Sequence, residues 1–300
     1  MSYSFELCYP LPGSTRTSGL TEGPAWDGSG LLFTDIRNSR ILRFAPNGGR
    51  VDIVRTGTNQ ANGLMFDAAG TLYACEGGGR RIVRYERDGG TTTIADRLDG
   101  RRLNSPNDLA IDRQGRIWFT DPRYGDDRAD MELDHESVLR ANPRGDTWLV
   151  ERMTFDTTRP NGILLSADER WLYVAQSSYV PAEGRQLRAY PVREDGSLGA
   201  MRVLHDFGDN RGIDGMCLDV EGNIIATCGW EIGGPGGRIA IFAPDGRVLE
   251  EHLLPDPARR PTNCTFGGPR LQTLYVTDID GHLHRTETDR RGLLAYPTSA

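Results

Sequence analysis

The sequence contains no lysine, and all 35 of its Lys/Arg residues are arginine. This absence excludes Schiff-base chemistry at a lysine, a lysine general base and a P-loop lysine. The chain also lacks the GxSxG nucleophile elbow and the HExxH zinc-binding helix, which excludes two common designs of hydrolase. No apolar run approaches the roughly 20 residues of a membrane span. The start, MSYSFELCYP, shows no basic segment followed by an apolar stretch, so we expect no signal peptide and no membrane partner.

Cysteine is also scarce, and acidic residues outnumber basic ones. The five cysteines are odd in number, scattered along the chain and never arranged as CxxC. We therefore expect reduced, mostly buried thiols and a cytoplasmic location. The formal net charge is −7, the opposite of the basic footprint that nucleic-acid binding requires, so we expect no nucleic-acid partner.

Glycine is abundant, at 37 of 300 residues, and there are 17 prolines. So much of both residues predicts many turns and argues against a mainly helical protein. Hydrophobic residues make up 37% of the chain and charged residues 26%, which is typical of a globular protein. A chain of this length can bury a sizeable core without disulfides or structural metals.

One pattern recurs six times: an apolar residue, often an aspartate, a turn that usually contains glycine, and an apolar strand. The copies are WDGSGLLFTD, FDAAGTLYAC, IDRQGRIWFT, LSADERWLYVAQ, LDVEGNIIAT and FGGPRLQTLYVTD, which begin at Trp26, Phe66, Ile111, Leu165, Leu218 and Phe266. They are spaced by 40 to 54 residues. This is the period of a propeller blade. The sequence therefore predicts an all-β protein, a six-bladed β-propeller with a central channel, as one domain over residues 1–300.

The segments that follow the copies support this fold. RILRFAPNGG, RIVRYERDGG and GRIAIFAPDG each show an alternating strand that ends in a turn. The apolar strand of the pattern (LLFT, IWFT, IIAT) is typical of a strand covered on both faces by neighbouring blades. A two-sheet sandwich or a pair of small β domains is the alternative, but neither explains six copies of one pattern. We expect the N-terminal segment to pair with the last blade and close the ring.

Acids and amides lie three to seven residues before each of the first five copies. The stretches are TEGPAW with Glu22, QANGLMFD with Asn62, LNSPNDLAID with Asn104, Asn107 and Asp108, RPNGILLS with Asn161, and GIDGMCLD with Asp214. Each residue type alone is common in turns. Their repetition in register predicts instead that they converge at one end of the channel. Carboxylate and amide oxygens are the ligands that calcium prefers, and two carboxylates balance a divalent charge.

Two further features have alternative interpretations. His282 and His284 are two residues apart on a late strand, and we interpret them as a solvated strand face rather than a pair of metal ligands. The polar segment 123–134 is either a solvated loop or a lid over the pocket, for which Tyr124 provides an aromatic wall.

With these motifs in this order, the sequence resembles the gluconolactonase and senescence-marker-protein (regucalcin) family of six-bladed propellers. The resemblance extends from about Gly19 to Asp280. It is carried by EGPAW, NGLMFDAAGTLYACEGGGRR, RLNSPNDLAIDRQGRIWFTDPRYG, PNGILLSADERWLYVA, GIDGMCLDVEGN and TNCTFGG.

The resemblance implies roles for individual residues. Glu22 of EGPAW, Asn161 of PNG and Asp214 of GIDG would hold the metal, and Asp214 would also act as the general base. Asn107 of PND would contact the metal or the substrate, and Asp108 follows it. Two positions depart from the pattern. Ser105 stands where animal sugar lactonases carry an arginine, and Gly77 stands where bacterial relatives often carry a histidine.

The expected function is therefore metal-dependent hydrolysis of a small sugar-type (aldono-) lactone, with a divalent cation, calcium, polarising the carbonyl and Asp214 activating water. The predicted substrate contacts are Asn62, Asn107, Asp108 and Tyr124. Three alternatives stay open: hydrolysis of another ester or a phosphotriester at the same site, a non-enzymatic calcium-binding propeller, and a bond-forming relative of the strictosidine-synthase type.

Overall fold

The structure, a computed structural model, describes residues 3–10, 19–125, 127–229, 234–255 and 260–297. These residues form β-strands and turns, with a single three-residue 3-10 helix, Pro181–Glu183. No helix in the described part of the chain has the length and apolar character that a membrane crossing requires.

The strands fall into six blades and a few additions. β1 is Glu6–Tyr9. Blade 1 contains β2 (Thr21–Trp26), β3 (Leu31–Asp35), β4 (Arg40–Ala45) and β5 (Arg50–Thr56). Blade 2 contains β6 (Ala61–Phe66), β7 (Leu72–Glu76), β8 (Arg81–Tyr85) and β9 (Thr91–Ala95). A short ribbon, β10 (Arg97–Leu98) and β11 (Arg101–Arg102), follows. Blade 3 contains β12 (Leu109–Ile111), β13 (Ile117–Asp121), β14 (Ser137–Arg144) and β15 (Thr147–Arg152). Blade 4 contains β16 (Pro160–Leu165), β17 (Trp171–Ser177), β18 (Arg185–Pro191) and β19 (Arg202–Asp206). Blade 5 contains β20 (Ile213–Asp219), β21 (Ile224–Cys228), β22 (Arg238–Phe242) and β23 (Val248–Leu253). Blade 6 contains β24 (Pro261–Gly267), β25 (Thr273–Asp278) and β26 (Leu283–Glu287), and β27 is Gly292–Leu293.

Each blade is an antiparallel meander whose first strand is the innermost. The first strand of every blade contacts the first strand of the next, and β24 of blade 6 contacts β2 of blade 1, so the ring is closed. The outer strand of blade 6 is β1, which pairs with β26 in the register Leu7↔His284. The predicted six-bladed propeller and its closure by the N-terminal segment are both confirmed.

The second strands of the blades are buried along their whole length in four cases. Every residue of β3, β13, β21 and β25 is buried. This explains why their sequences are nearly continuous apolar runs rather than alternating ones, because adjacent blades cover both faces. Between blades 6 and 1, for example, the stacked rings of Trp26 and Tyr275 lie 6.1 Å apart. Each fully buried ring of this size stabilises the fold by about 1.5–3 kcal/mol.

The inner strands share an irregularity near their first residues. The register shifts between Glu22 and Ala25, Ala61 and Leu64, Pro160 and Ile163, Ile213 and Met216, and Pro261 and Cys264. A bulge of this kind redirects side chains and ends regular pairing. In blade 3 the same place lies just before β12, where the Asn107 N–H donates to the carbonyl of Thr120. These bulges position the residues of the site.

The interpretation of His282 and His284 as a solvated strand face is wrong. Both side chains are buried, and both contact Asp278. The reason is the packing of the propeller, in which each face of a blade meets another blade or a covering loop. Period-2 alternation therefore does not identify a solvent-facing side in this fold.

The five cysteines are free thiols, four buried and one, Cys217, half-buried. The expectation of reduced, mostly buried cysteines agrees with this arrangement. The cytoplasmic location that we inferred from them stays a prediction.

Candidate functional site

The five bulges and the equivalent segment before β12 form a ring around the channel axis, and each contains two consecutive residues at equivalent positions. The pairs are Glu22-Gly23, Asn62-Gly63, Asn107-Asp108, Asn161-Gly162, Asp214-Gly215 and Thr262-Asn263, in blades 1 to 6. In four blades the second residue is glycine. In blades 3 and 6, which lie opposite each other in a six-membered ring, it is Asp108 or Asn263.

The glycines are required because neighbouring bulges touch. A Cβ atom added at Gly162 would lie 2.4 Å from the carbonyl oxygen of Asp214, and one added at Gly215 would lie 2.1 Å from Cγ of Asn263. At Gly63 the same atom would lie 2.6 Å from Oδ1 of Asp108. No side chain fits these spaces. The glycines of NG, PNG and DG thus allow the acids and amides of adjacent blades to approach one another.

Three buried carboxylates, those of Glu22, Asp108 and Asp214, face the axis. Asn263 links two of them: its Nδ2 donates to Oε2 of Glu22 at 3.0 Å and lies 3.5 Å from Oδ2 of Asp108. Backbone N–H groups hold the same acids, since Gly23 donates to Glu22 and Leu109 donates to Asp108. The carboxylate oxygens of the three acids do not all lie within 4.8 Å of one another. They are spread around the channel, with amides between them.

Burial and mutual repulsion oppose the ionisation of these acids. Burial, with the neighbouring Asp214 and Asp108 carboxylates, raises the pKa of Glu22 well above its ordinary value. Burial also raises the pKa of Asp108 to about 7, although hydrogen bonds from Leu109 and Asn263 act in the opposite direction. A cation placed between the acids would reverse both effects.

One cation already contacts the group. The guanidinium of Arg211 forms a buried ion pair with the carboxylate of Asp214. Arg211 lies in the turn just before β20, so it is close to the bulge of its own blade. It compensates one of the three negative charges.

Two tyrosines and an arginine lie beside Asp214. The rings of Tyr124 and Tyr179 are 5.5 Å apart, and the guanidinium carbon of Arg159 lies 5.9 Å and 5.6 Å from their centroids. Burial and the charge of Asp214 raise the pKa of both tyrosines. The Tyr124 hydroxyl is buried without a hydrogen-bond partner among the described residues. These groups form an aromatic wall above the ring of bulges.

The structure brings most of the predicted site residues together. Asn161 is buried in the bulge of blade 4, next to the backbone of Asp214. The Oδ1 atom of Asn62 is buried and has no hydrogen-bond partner in the described part of the chain. Asn107 is buried, and its carbonyl accepts from the Gly63 N–H.

Asn104 lies outside this group. Its Nδ2 donates to the carbonyls of Asp121 and His135, so it braces the loop after β13. Segment 123–134 is fastened by ion pairs of Arg123 and Arg80 with Asp130; residue 126 lies outside the described residues. Tyr124 therefore lies in the aromatic wall beside Asp214, and the ion pairs of Asp130 hold its segment in place.

Two residues of the site were missed in the sequence. Asn263 belongs to TNCTFGG, in which Thr262 stands four residues before Phe266, as Glu22 does before Trp26. Applying the same spacing to the sixth copy identifies Thr262, and Asn263 is the next residue. For Arg211 the sequence offers no such signal, because its contact with Asp214 depends on how the preceding turn folds.

A cavity of about 670 Å³ occupies the channel beyond the bulge ring. Its walls are mostly apolar, and Asp108 and Asn263 reach it from above. The C-terminal segment crosses its far end, where β27 pairs with the inner strand β20. Apolar walls therefore lie on this side of Asp108 and Asn263, whereas Tyr124 and Tyr179 lie beside Asp214.

Comparison with known proteins agrees with the resemblance of the motifs. The family model described as "SMP-30/Gluconolactonase/LRE-like region" matches residues 20–280. The chain is 31% identical to a gluconolactonase of Zymomonas mobilis over 284 residues, which cover 86% of this chain and 75% of that protein. It is 27% identical to a 6-deoxy-6-sulfogluconolactonase of Pseudomonas putida, with 87% of this chain and 84% of the relative covered.

Among solved structures, a gluconolactonase of Xanthomonas campestris superposes with a TM-score of 0.79 at 33% identity. The match covers 95% of this chain and 89% of that one. The likeness therefore extends over the whole propeller.

Proposed function

This chain belongs to the SMP-30/gluconolactonase/LRE-like family, and from that membership and the axial site we propose that it is a metal-dependent lactonase. It hydrolyses a sugar-type (aldono-) lactone to the corresponding hydroxy acid, with a divalent cation, calcium, as its cofactor. The relatives named gluconolactonase and sulfogluconolactonase support the reaction class. The residues of the channel support the chemistry.

The observation that carries the proposal is the unbalanced charge on the axis. Among the residues that the structure describes, three buried carboxylates, Glu22, Asp108 and Asp214, face one contacting guanidinium, that of Arg211. When ionised, these four groups have a formal charge of −2. Buried charges without compensation are costly, and here a divalent cation would supply the missing charge.

The donors fit calcium better than a smaller ion. All are oxygens of carboxylates or amides, and the buried, unpartnered Oδ1 of Asn62 adds an acceptor. Calcium takes 6–8 oxygen ligands at 2.3–2.6 Å, so ligands on opposite sides of the ion are about 4.6–5.2 Å apart. An all-oxygen donor set suits such a shell, whereas tetrahedral zinc favours histidine and cysteine ligands. We assign Glu22, Asn161 and Asp214 as the ligands, with Asp108 beside them.

When bound, the cation acts as a Lewis acid that polarises the lactone carbonyl. The chain's own groups do the rest. The Asp214 carboxylate takes a proton from the attacking water while the water oxygen bonds to the carbonyl carbon of the lactone. The ring C–O bond then breaks, and the proton passes to the former ring oxygen, which leaves a hydroxy acid.

Asp214 works by position rather than by strong basicity. Its ion pair with Arg211 fixes the direction of the carboxylate. A base held at the reacting atoms gains from its high effective concentration, and lactones need only modest activation.

The substrate enters on the side of Tyr124. The paired rings of Tyr124 and Tyr179 offer an apolar surface for the C–H face of a sugar ring. Asn107, Asp108 and Asn62 offer polar groups for its hydroxyls. Ser105 and Gly77, which replace an arginine and a histidine of relatives, leave the hydroxyl contacts to these residues.

The experiment that tests the function is proton release from glucono-1,5-lactone near neutral pH, measured against the spontaneous rate. We expect acceleration with calcium and its loss with chelator. Asp214→Asn and Glu22→Gln should each lower turnover by at least about 100-fold, as expected when a general base or a metal ligand is removed. The matched control is Asp52→Asn, which changes an exposed carboxylate on β5.

Two outcomes would contradict the proposal. Acceleration that chelator does not affect would show that hydrolysis needs no metal. Full activity of Asp214→Asn would show that Asp214 is not the general base. If calcium binds but neither this lactone nor a panel of other lactones and esters is hydrolysed, the chain is a calcium-binding propeller without this activity.

A further inference from the structure

A second group of ligating side chains lies in blade 6, away from the axial acids. Asp278 ends β25, His282 lies in the following turn, and His284 is on β26. All three are buried. Their ligand atoms, Nδ1 of His282, Nε2 of His284 and a carboxylate oxygen of Asp278, all lie within 4.8 Å of one another.

In blades 1 and 2 the corresponding place is an ion pair of an acid with an arginine. In blade 1, Asp35 ends the second strand and pairs with Arg40, the first residue of the third, at 2.8 Å. In blade 2, Glu76 pairs with Arg81 in the same way at 2.7 Å. In these two blades the acid binds a guanidinium, which cannot bind a metal. In blade 6, His282 stands where blades 1 and 2 carry this arginine, and His284 lies two residues further along the chain; imidazoles can bind a metal.

The spacing of the blade-6 group fits a small tetrahedral ion. Oδ2 of Asp278 lies 3.0 Å from Nδ1 of His282 and 3.0 Å from Nε2 of His284. Ligands about 2.0–2.2 Å from tetrahedral zinc are about 3.3–3.6 Å apart. These two distances would therefore need to lengthen by only a few tenths of an ångström. Both carboxylate oxygens of Asp278 are within reach of His282, so the acid can also bind through two atoms.

We propose that Asp278, His282 and His284 form a binding site for zinc or a similar transition metal, distinct from the axial calcium site. Two imidazoles and one carboxylate are a ligand set that selects zinc over calcium. The axial acids and amides have the opposite preference. The two sites thus select different metals, zinc in blade 6 and calcium on the axis, because their ligands differ.

The role of this second ion is structural. The Thr21 hydroxyl lies 3.0 Å from the carbonyl of Asp278, to which it donates, and Thr21 directly precedes Glu22. An ion at the cluster would fasten the β25–β26 turn against the start of blade 1, where the ring closes. Hydrolysis does not pass through it.

The test is metal binding by the whole protein, stripped with chelator and then saturated with calcium. After equilibrium dialysis against zinc, we expect about one zinc per chain, the stoichiometry of a single structural site, and a rise in Tm. Glu22→Gln should lose calcium but keep zinc. His252→Gln, which changes a buried histidine paired with Glu250, should also keep zinc.

The informative variant is His282→Arg, because it recreates the acid–arginine pair of blades 1 and 2. It should fold, remain active and bind no zinc, and zinc should no longer raise its Tm. His284→Gln should lose zinc as well. Wild-type protein that binds no zinc, or zinc binding that survives in His282→Arg or disappears in Glu22→Gln, would overturn the proposal and leave an ion-paired histidine cluster.

Discussion

Asn263 and Asp108 face each other across the channel axis, with Nδ2 of Asn263 3.5 Å from Oδ2 of Asp108. They come from blades 6 and 3, which are opposite in the ring, and both occupy the bulge position that is glycine in the other four blades. Because the intervening bulges carry no side chain there, these two can reach the centre. Asn263 also donates to Glu22, so one neutral amide holds two acids.

Asn263→Ala is therefore expected to weaken calcium binding and kcat/KM by about 10–100-fold, the usual effect of removing a group that orients metal ligands. The acids remain, but the hydrogen bonds to Glu22 and Asp108 are lost. Calcium titration and lactone kinetics measure the two quantities, and circular dichroism checks the fold. Wild-type calcium affinity in this variant would show that the amide does not orient the acids.

Gly215→Ala should lower both stability and activity, although it adds only one methyl group. The new Cβ atom would lie 2.1 Å from Cγ of Asn263, so that side chain must move, at a cost of about 1–3 kcal/mol in the free energy of unfolding. Activity should fall with it. Gly212→Ala is the control, since its Cβ atom meets nothing closer than 3.4 Å. Equal Tm and activity in the two variants would contradict the close contact between bulges.

Arg211→Gln leaves the buried Asp214 carboxylate without its cation. In chelator we expect a loss of about 3–5 kcal/mol in the free energy of unfolding, as is usual when one partner of a buried ion pair is removed. Calcium should restore more stability to this variant than to the wild type, because the ion replaces the lost charge. Urea unfolding with and without calcium measures both the loss of stability and its recovery on calcium binding. A smaller calcium effect in the variant would argue against a cation site beside Asp214.

Asp121 predicts a pH dependence of stability. Burial raises its pKa to about 7, although the N–H groups of Asn104 and Ser105 donate to it. A carboxyl group with a raised folded-state pKa favours folding while it is protonated. That contribution is fully present below about pH 4, and it is lost as the pH rises through about 7. The loss is at most on the order of 4 kcal/mol, at about 1.4 kcal/mol per pH unit.

Asp121→Asn removes this titration. It should be less stable than the wild type at low pH, because an amide cannot accept from both N–H groups. Between pH 4 and 8, however, its unfolding free energy in chelator should change less steeply. The measurement is urea unfolding of both proteins across that range. Parallel pH curves would show that Asp121 does not titrate there.

Tyr124→Ala should raise KM for lactones of sugar acids and change the preference among lactones of different ring size. The reason is the loss of a ring that stacks near Tyr179 and lies beside Asp214. Tyr124→Phe, which keeps the ring, should retain most of the wild-type KM. Unchanged kinetics of Tyr124→Ala across several lactones would exclude it from the pocket.

The sequence determined a large part of this protein. Six copies of one strand pattern specify six blades, since each copy encodes a turn and a strand buried on both faces. The same period places Glu22, Asn161 and Asp214 at equivalent positions, so their convergence is a consequence of ring symmetry. The prediction of a single domain over residues 1–300 stays a prediction.

The tertiary structure decided what symmetry does not specify. Asn263 and Asp108 meet because opposite blades are about one channel width apart, which no local pattern encodes. Arg211 reaches Asp214 through the path of a turn, and His282 and His284 are buried because neighbouring segments cover both faces of blade 6. A sequence pattern records which residues share a face of a strand. What that face touches depends on segments that are far away along the chain and are brought close only by folding.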